Sequence, residues 1–177
     1  MKKLNIFSAI VSLIILAGCN TPTDVSTGGQ YFPLNVGNKW YYNSNNAGSS
    51  TEISEIWEIT GIKTINGVRY YQLDINNVSL NTVSTIYYRY GGDTLFYRTS
   101  SGGEFVTADF SLQLNDTAYW DKNITVSKKT NDVITYTIPL KGDYSYSATY
   151  SKGLGMTDME ESGFVYYNRK LLKADLK

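Results

Sequence analysis

The chain has no histidine, and it carries one cysteine, Cys19, in 177 residues. Lack of histidine removes the side chain that most often serves as general base or proton shuttle near neutral pH. It also excludes Ser-His-Asp and Cys-His nucleophilic machinery, and zinc sites of the His/Cys type. A lone cysteine cannot build a disulfide framework. Alanine, the best helix former, occurs seven times, and no stretch beyond the first eighteen residues sustains an i, i+3, i+4, i+7 apolar pattern, which argues against a helical domain. Gly-x-Gly-x-x-Gly and Walker-type loops are missing, so nothing points to a nucleotide or another cofactor. A basic stripe is missing as well, which excludes nucleic acid as the expected partner.

The apolar run at the start is short. Lys2 and Lys3 precede an apolar segment from Ile6 to Ala17, which only small residues interrupt, and Gly18 and Cys19 follow. About a dozen apolar residues is a signal-peptide length, whereas a spanning helix needs about 20. Leu16-Ala17-Gly18-Cys19 resembles the bacterial lipobox. The resemblance implies a diacylglyceryl group on the Cys19 sulfur, cleavage after Gly18 and palmitate-type acylation of the new N-terminus. Two or three acyl chains hold firmly where one is marginal. Asn20 is not the aspartate that often retains lipoproteins in the inner membrane, so the resemblance implies the outer membrane. The expected organisation is a signal peptide over 1–18, a flexible polar tether over 19–30 and one globular domain over 31–177.

What is abundant favours strand. Eighteen threonines, sixteen tyrosines, six phenylalanines and three tryptophans suit a pleated, half-buried surface. Two of the sixteen basic residues and none of the sixteen acidic ones lie in the first eighteen positions, so the remainder carries fourteen against sixteen, a net of −2.

Residues 31–42, YFPLNVGNKWYY, hold the first landmark. Pro33 fixes φ, and Trp40 is large enough to anchor a core. A sugar-binding aromatic is the competing reading of Trp40. The segment resembles an opening motif, FPL-x-VGN-x-W-x-Y, of many uncharacterised bacterial envelope lipoproteins and secreted proteins. It matches at Phe32, Pro33, Leu34, Val36, Gly37, Asn38, Trp40 and Tyr42. The likeness continues loosely through Ile65-Asn66-Gly67 and through Lys152-Gly153-Leu154-Gly155. It implies a β-rich envelope protein and carries no catalytic residue with it.

Asn66-Gly67 between two strand-like runs predicts a hairpin with a type I′ turn. Pairing Ile65 with Val68 sets Ile62 opposite Tyr71 and Thr60 opposite Leu73. Apolar residues then fall on both faces, so either both are covered or a bulge near Gly61 switches the register. A second hairpin is expected to turn at Gly91-Gly92, with Tyr88 across from Leu95 and Ile86 across from Tyr97. Further strands are expected near 104–110, 118–120, 124–129, 132–139, 143–151, 164–168 and 170–176. In the last, Leu172, Ala174 and Leu176 alternate with charged residues, and a terminal helix competes. Roughly ten short strands predict an all-β antiparallel meander curling into a barrel, half-barrel or sandwich.

Carboxylates are the remaining catalytic currency. Asp116, Asp121, Glu160 and Glu161 are the candidates for a glycosidase pair, which needs two carboxyls about 5–10 Å apart. The acid-rich stretches lack calcium-loop spacing, so no metal is expected. The expected role is a non-catalytic envelope module, bound to the membrane through Cys19, whose partner is a glycan, a lipid or an envelope protein. A carboxylate-dependent polysaccharide hydrolase is the alternative.

Overall fold

The computed structural model describes residues 27–44, 52–119, 123–139, 145–162 and 167–177. Residues 1–18, expected to be a signal peptide, lie outside these residues, as do Cys19 and Asp121. A short 3-10 turn, Thr27–Gln30, precedes twelve strands. These are β1 (Lys39–Ser44), β2 (Glu55–Ile65), β3 (Val68–Asn77), β4 (Thr82–Gly91), β5 (Thr94–Thr99), β6 (Gly102–Asp109), β7 (Thr117–Tyr119), β8 (Asn123–Lys129), β9 (Val133–Pro139), β10 (Ser145–Ser151), β11 (Gly155–Ser162) and β12 (Tyr167–Asp175). They form one antiparallel sheet in the order β6-β5-β4-β3-β2-β1-β12-β11-β10-β9-β8-β7. Two six-strand meanders therefore meet where the first strand pairs with the last, and the sheet is open, with β6 and β7 at its two edges.

The sheet curls until its halves share one core. Phe32, from the segment before β1, touches Tyr88 of β4 at 5.4 Å and Tyr150 of β10 at 6.3 Å between ring centroids. Phe110, just after β6, touches Tyr90, Tyr136 and Tyr150 at 6.4, 6.3 and 5.4 Å. Tilted and edge-on rings at these spacings are the favoured aromatic geometries. Trp40, Ile59, Leu73, Leu95, Ala108, Val126 and Ile134 are fully buried between the halves.

The first hairpin forms as expected around Asn66 (φ 51°) and Gly67 (φ 80°), with Ile65 opposite Val68 and Ile62 opposite Tyr71. The bulge near Gly61 is present. It pairs Ile59, not Thr60, with Leu73, and so turns Trp57 and Ile59 to the core, while Lys63 is exposed and Tyr70, off the main core cluster, is itself buried. The second hairpin differs from expectation. Gly91 pairs with Thr94 and the turn is Gly92-Asp93, so Tyr88 meets Tyr97 and Ile86 meets Thr99. The slip moves each strand by one residue, so the partner advances by two and the inward face keeps its members. β11 was not foreseen, and Tyr167–Asp175 is one strand rather than the expected pair near 164–168 and 170–176. Within it a register shift opposite Tyr41/Tyr42 breaks the strict alternation. Leu171 and Ala174 pack on the core, and Leu172 is 38% exposed.

Candidate functional site

The motif residues close one end of the curled sheet, the end where β1 begins. Phe32 stacks on Trp40 at 4.9 Å and 8°. Trp40 is fully buried, and its indole N–H donates to the Leu154 carbonyl at 2.5 Å. Gly155 has φ +98°, and a Cβ on it would lie 2.8 Å from the Trp40 indole nitrogen, so no side chain fits there. Asn38, also fully buried, donates to the Pro33 carbonyl at 2.8 Å and accepts the Lys177 backbone N–H at 2.8 Å. The opening motif and the Lys152-Gly153-Leu154-Gly155 turn thus touch one another. Trp40 is a core residue, which excludes the sugar-binding reading of its ring.

At the opposite end the inner face carries a charge. Glu55 on β2 is 4% exposed and receives Arg169 Nε at 2.8 Å, Tyr167 Oη at 2.7 Å and Trp57 Nε1 at 3.0 Å. The Arg169 guanidinium lies 4.8 Å from the Trp57 ring centroid. Burial pushes the Glu55 carboxyl up, but the Arg169 and Tyr167 hydrogen bonds outweigh it, and the net shift is downward. A carboxylate held ionised in this way cannot donate a proton at neutral pH. Burial raises the Tyr167 phenol to about 12, which keeps it a neutral donor. The cluster is a closed polar knot that orders β1, β2 and β12.

Three of the four candidate carboxylates are among the described residues. Glu160 and Glu161 are neighbours on β11, so their side chains leave opposite faces of the sheet. Asp116 sits in the β6–β7 connection, where its Oδ2 accepts the Gln113 N–H at 2.7 Å. Asp121 is outside the described residues. Among the described residues no three acidic or cysteine side chains gather as metal ligands.

The outer surface carries an open hollow of about 740 Å³ along the β1–β12 seam, beside the plugged end. Lys39, Tyr41, Glu58, Asp175 and Lys177 line it together with Gly37, Ala174 and Leu176. They converge because β1 is flanked by both partners: Lys39 stands opposite Glu58 of β2 and Asp175 of β12. Lys39 pairs with Glu58 at 2.9 Å, and Lys173 pairs with Asp175 at 2.8 Å while lying 5.2 Å from the Tyr41 ring centroid. Gly37 has φ +91°, and a Cβ there would collide with the Lys177 ammonium at 2.5 Å. The hollow combines one aromatic edge with alternating ammonium and carboxylate groups.

Two solved structures are similar to this chain. A protein with a YmcC-like fold from Bacteroides fragilis, inferred to be exported, is similar at a TM-score of 0.52 and 9% identity, over 82% of this chain and 99% of that one. A protein from Parabacteroides distasonis, inferred to be a lipoprotein, has a TM-score of 0.48 and 12% identity, over 82% of this chain and 98% of that one. The first likeness is one of fold. No protein-family model and no curated protein matches the chain.

Sequence reasoning did not single out the seam residues. One signal was available: in Lys39-Trp40-Tyr41-Tyr42 alternate residues must leave opposite faces, so a buried Trp40 puts Lys39 and Tyr41 outside. The contribution of Glu58 and Asp175 depends on strands 2 and 12 flanking β1, which no local pattern encodes.

Proposed function

We propose that the protein is a lipid-anchored binding module of the bacterial cell envelope, held at the outer membrane through Cys19, and that it performs no chemistry of its own. The observation that carries this reading is the state of the carboxylates in its two best-formed sites. Glu55 is locked to Arg169 inside, while Glu58 and Asp175 in the hollow are each paired with a lysine. A glycosidase needs one carboxyl free to protonate a leaving group and a second facing it across a cleft. Neither site offers that pair. What the hollow offers is a fixed set of donors and acceptors beside an aromatic ring, which is the equipment of a binding site.

The test incubates the full chain with a panel of soluble polysaccharides and measures released reducing ends beside retention on each immobilised polymer. Retention without cleavage is expected. Cleavage that an Asp175→Asn or Glu161→Gln change abolishes would replace the module with the hydrolase.

A further inference from the structure

We infer that the hollow on the β1–β12 seam is a subsite for a neutral saccharide, with Tyr41 as the platform and Glu58, Lys39 and Asp175 as the groups that read its hydroxyls. The inference rests on the binding-module reading and names the ligand class of that module. Each alternative ligand meets a specific obstacle. An apolar ligand would strip water from two carboxylates and three ammonium groups without replacing their hydrogen bonds, which costs heavily for charged groups. A polyanion would lie against Glu58 and Asp175, and a polycation against Lys39, Lys173 and Lys177. A polyol avoids all three conflicts, because every hydroxyl donates to a carboxylate and accepts from an ammonium. Its C–H face can rest on the Tyr41 ring.

Stability does not account for the arrangement. Side-chain exposures are 38% and 34% in the Lys39–Glu58 pair, and 62% and 46% in the Lys173–Asp175 pair. Exposed pairs of this kind hold a fold together weakly. They remain hydrated, so a ligand hydroxyl can displace water from them at little cost. A volume of about 740 Å³ lies within the usual range of small-ligand sites, roughly 300–1,000 Å³.

The experiment uses the full chain in detergent, with maltotriose, cellotriose and chitotriose as probes. Binding is followed by saturation-transfer NMR and calorimetry. At least one trisaccharide should bind saturably. Tyr41→Ala and Glu58→Gln should each weaken it about tenfold, the loss expected for one charge-assisted hydrogen bond or one ring contact. Thr137→Ala, on the outer face of β9, should leave affinity unchanged. Circular dichroism confirms that each variant is folded, and Asp175→Asn provides an independent third perturbation. Failure of all three probes, or wild-type affinity in Tyr41→Ala and Glu58→Gln, overturns the saccharide assignment. If the probes fail while a polymer from the wider panel is retained, the seam site falls and the module stands. If reducing ends appear, both fall.

Discussion

Glu55 is the one carboxylate that the described residues bury, and its partner Arg169 stands 114 positions later in the chain. Taking such a pair out of water is expensive, and breaking it by removing one partner typically costs about 3–5 kcal/mol, because the other charge is left buried alone. The pH consequence follows from the direction of the shift. The folded Glu55 carboxyl lies below its ordinary range, as do those of Glu104, beside Arg89, and Asp74, where hydroxyl and amide hydrogen bonds outweigh burial. Between the folded value and the ordinary one of about 4.3 the unfolded chain binds more protons, so stability is present above that window and lost as pH falls through it. Thermal unfolding should therefore be nearly pH-independent from pH 6 to 8 and fall below about pH 4. Glu55→Gln should lower the neutral-pH melting temperature and make the acid limb shallower. An acid limb unchanged in that variant would show that Glu55 titrates alike in both states. None of this was legible beforehand. Glu55 reads as one more polar residue in EISEIWEIT, and only the pairing of β1 with β12 brings Arg169 to it.

Hairpins were the legible elements, and the two of them mark where legibility stops. Asn66-Gly67 names both its turn and its register, because a type I′ turn needs φ > 0 at two successive residues and few dipeptides supply that. Gly91-Gly92-Asp93 offers two overlapping two-residue turns, and local chemistry does not choose between them. The choice comes from packing. A Cβ on Gly91 would lie 2.9 Å from the Phe96 ring, so Gly91 is a strand residue kept bare for a neighbour, and Gly92, at φ +63°, makes the turn. In β12 the same limit hid the bulge that exposes Leu172, since a register shift depends on the partner strand. The first hairpin gives a direct comparison. Asn66→Ala forces an alanine into the left-handed region and should cost about 1–2 kcal/mol. Asn77→Ala removes an exposed hydrogen bond from the Leu80 N–H at 2.9 Å and should cost less, under about 1 kcal/mol. Urea titrations of both variants check the order, and an equal or reversed order would mean that another residue sets the turn.

At the scale of the molecule, composition and turn spacing announced an antiparallel β-meander, and the structure is one. The number of strands was underestimated, and the seam was invisible, because pairing Lys39 with Asp175 is a contact between the two ends of the domain. Cys19 lies outside the described residues, and its role is open to a simple check. Cys19→Ala should move the protein out of the membrane fraction and abolish palmitate labelling, while unchanged labelling would remove the anchor. The seam makes a stronger demand. β12 is hydrogen-bonded to β1 on one side and β11 on the other, so it is the only link within the sheet between the two meanders among the described residues. It also supplies Arg169 to Glu55, and Leu171 and Ala174 to the core. A chain ending at Ser162 would lose these contacts together, leave Glu55 buried without a cation and open two long strand edges. The combined loss exceeds the roughly 5–15 kcal/mol that holds a domain together. Such a chain should be protease-sensitive and show no cooperative unfolding transition, even though nine of the eleven strands before β12 keep the same neighbours. A folded, protease-resistant product would show that each meander stands on its own and that the seam joins two independent units.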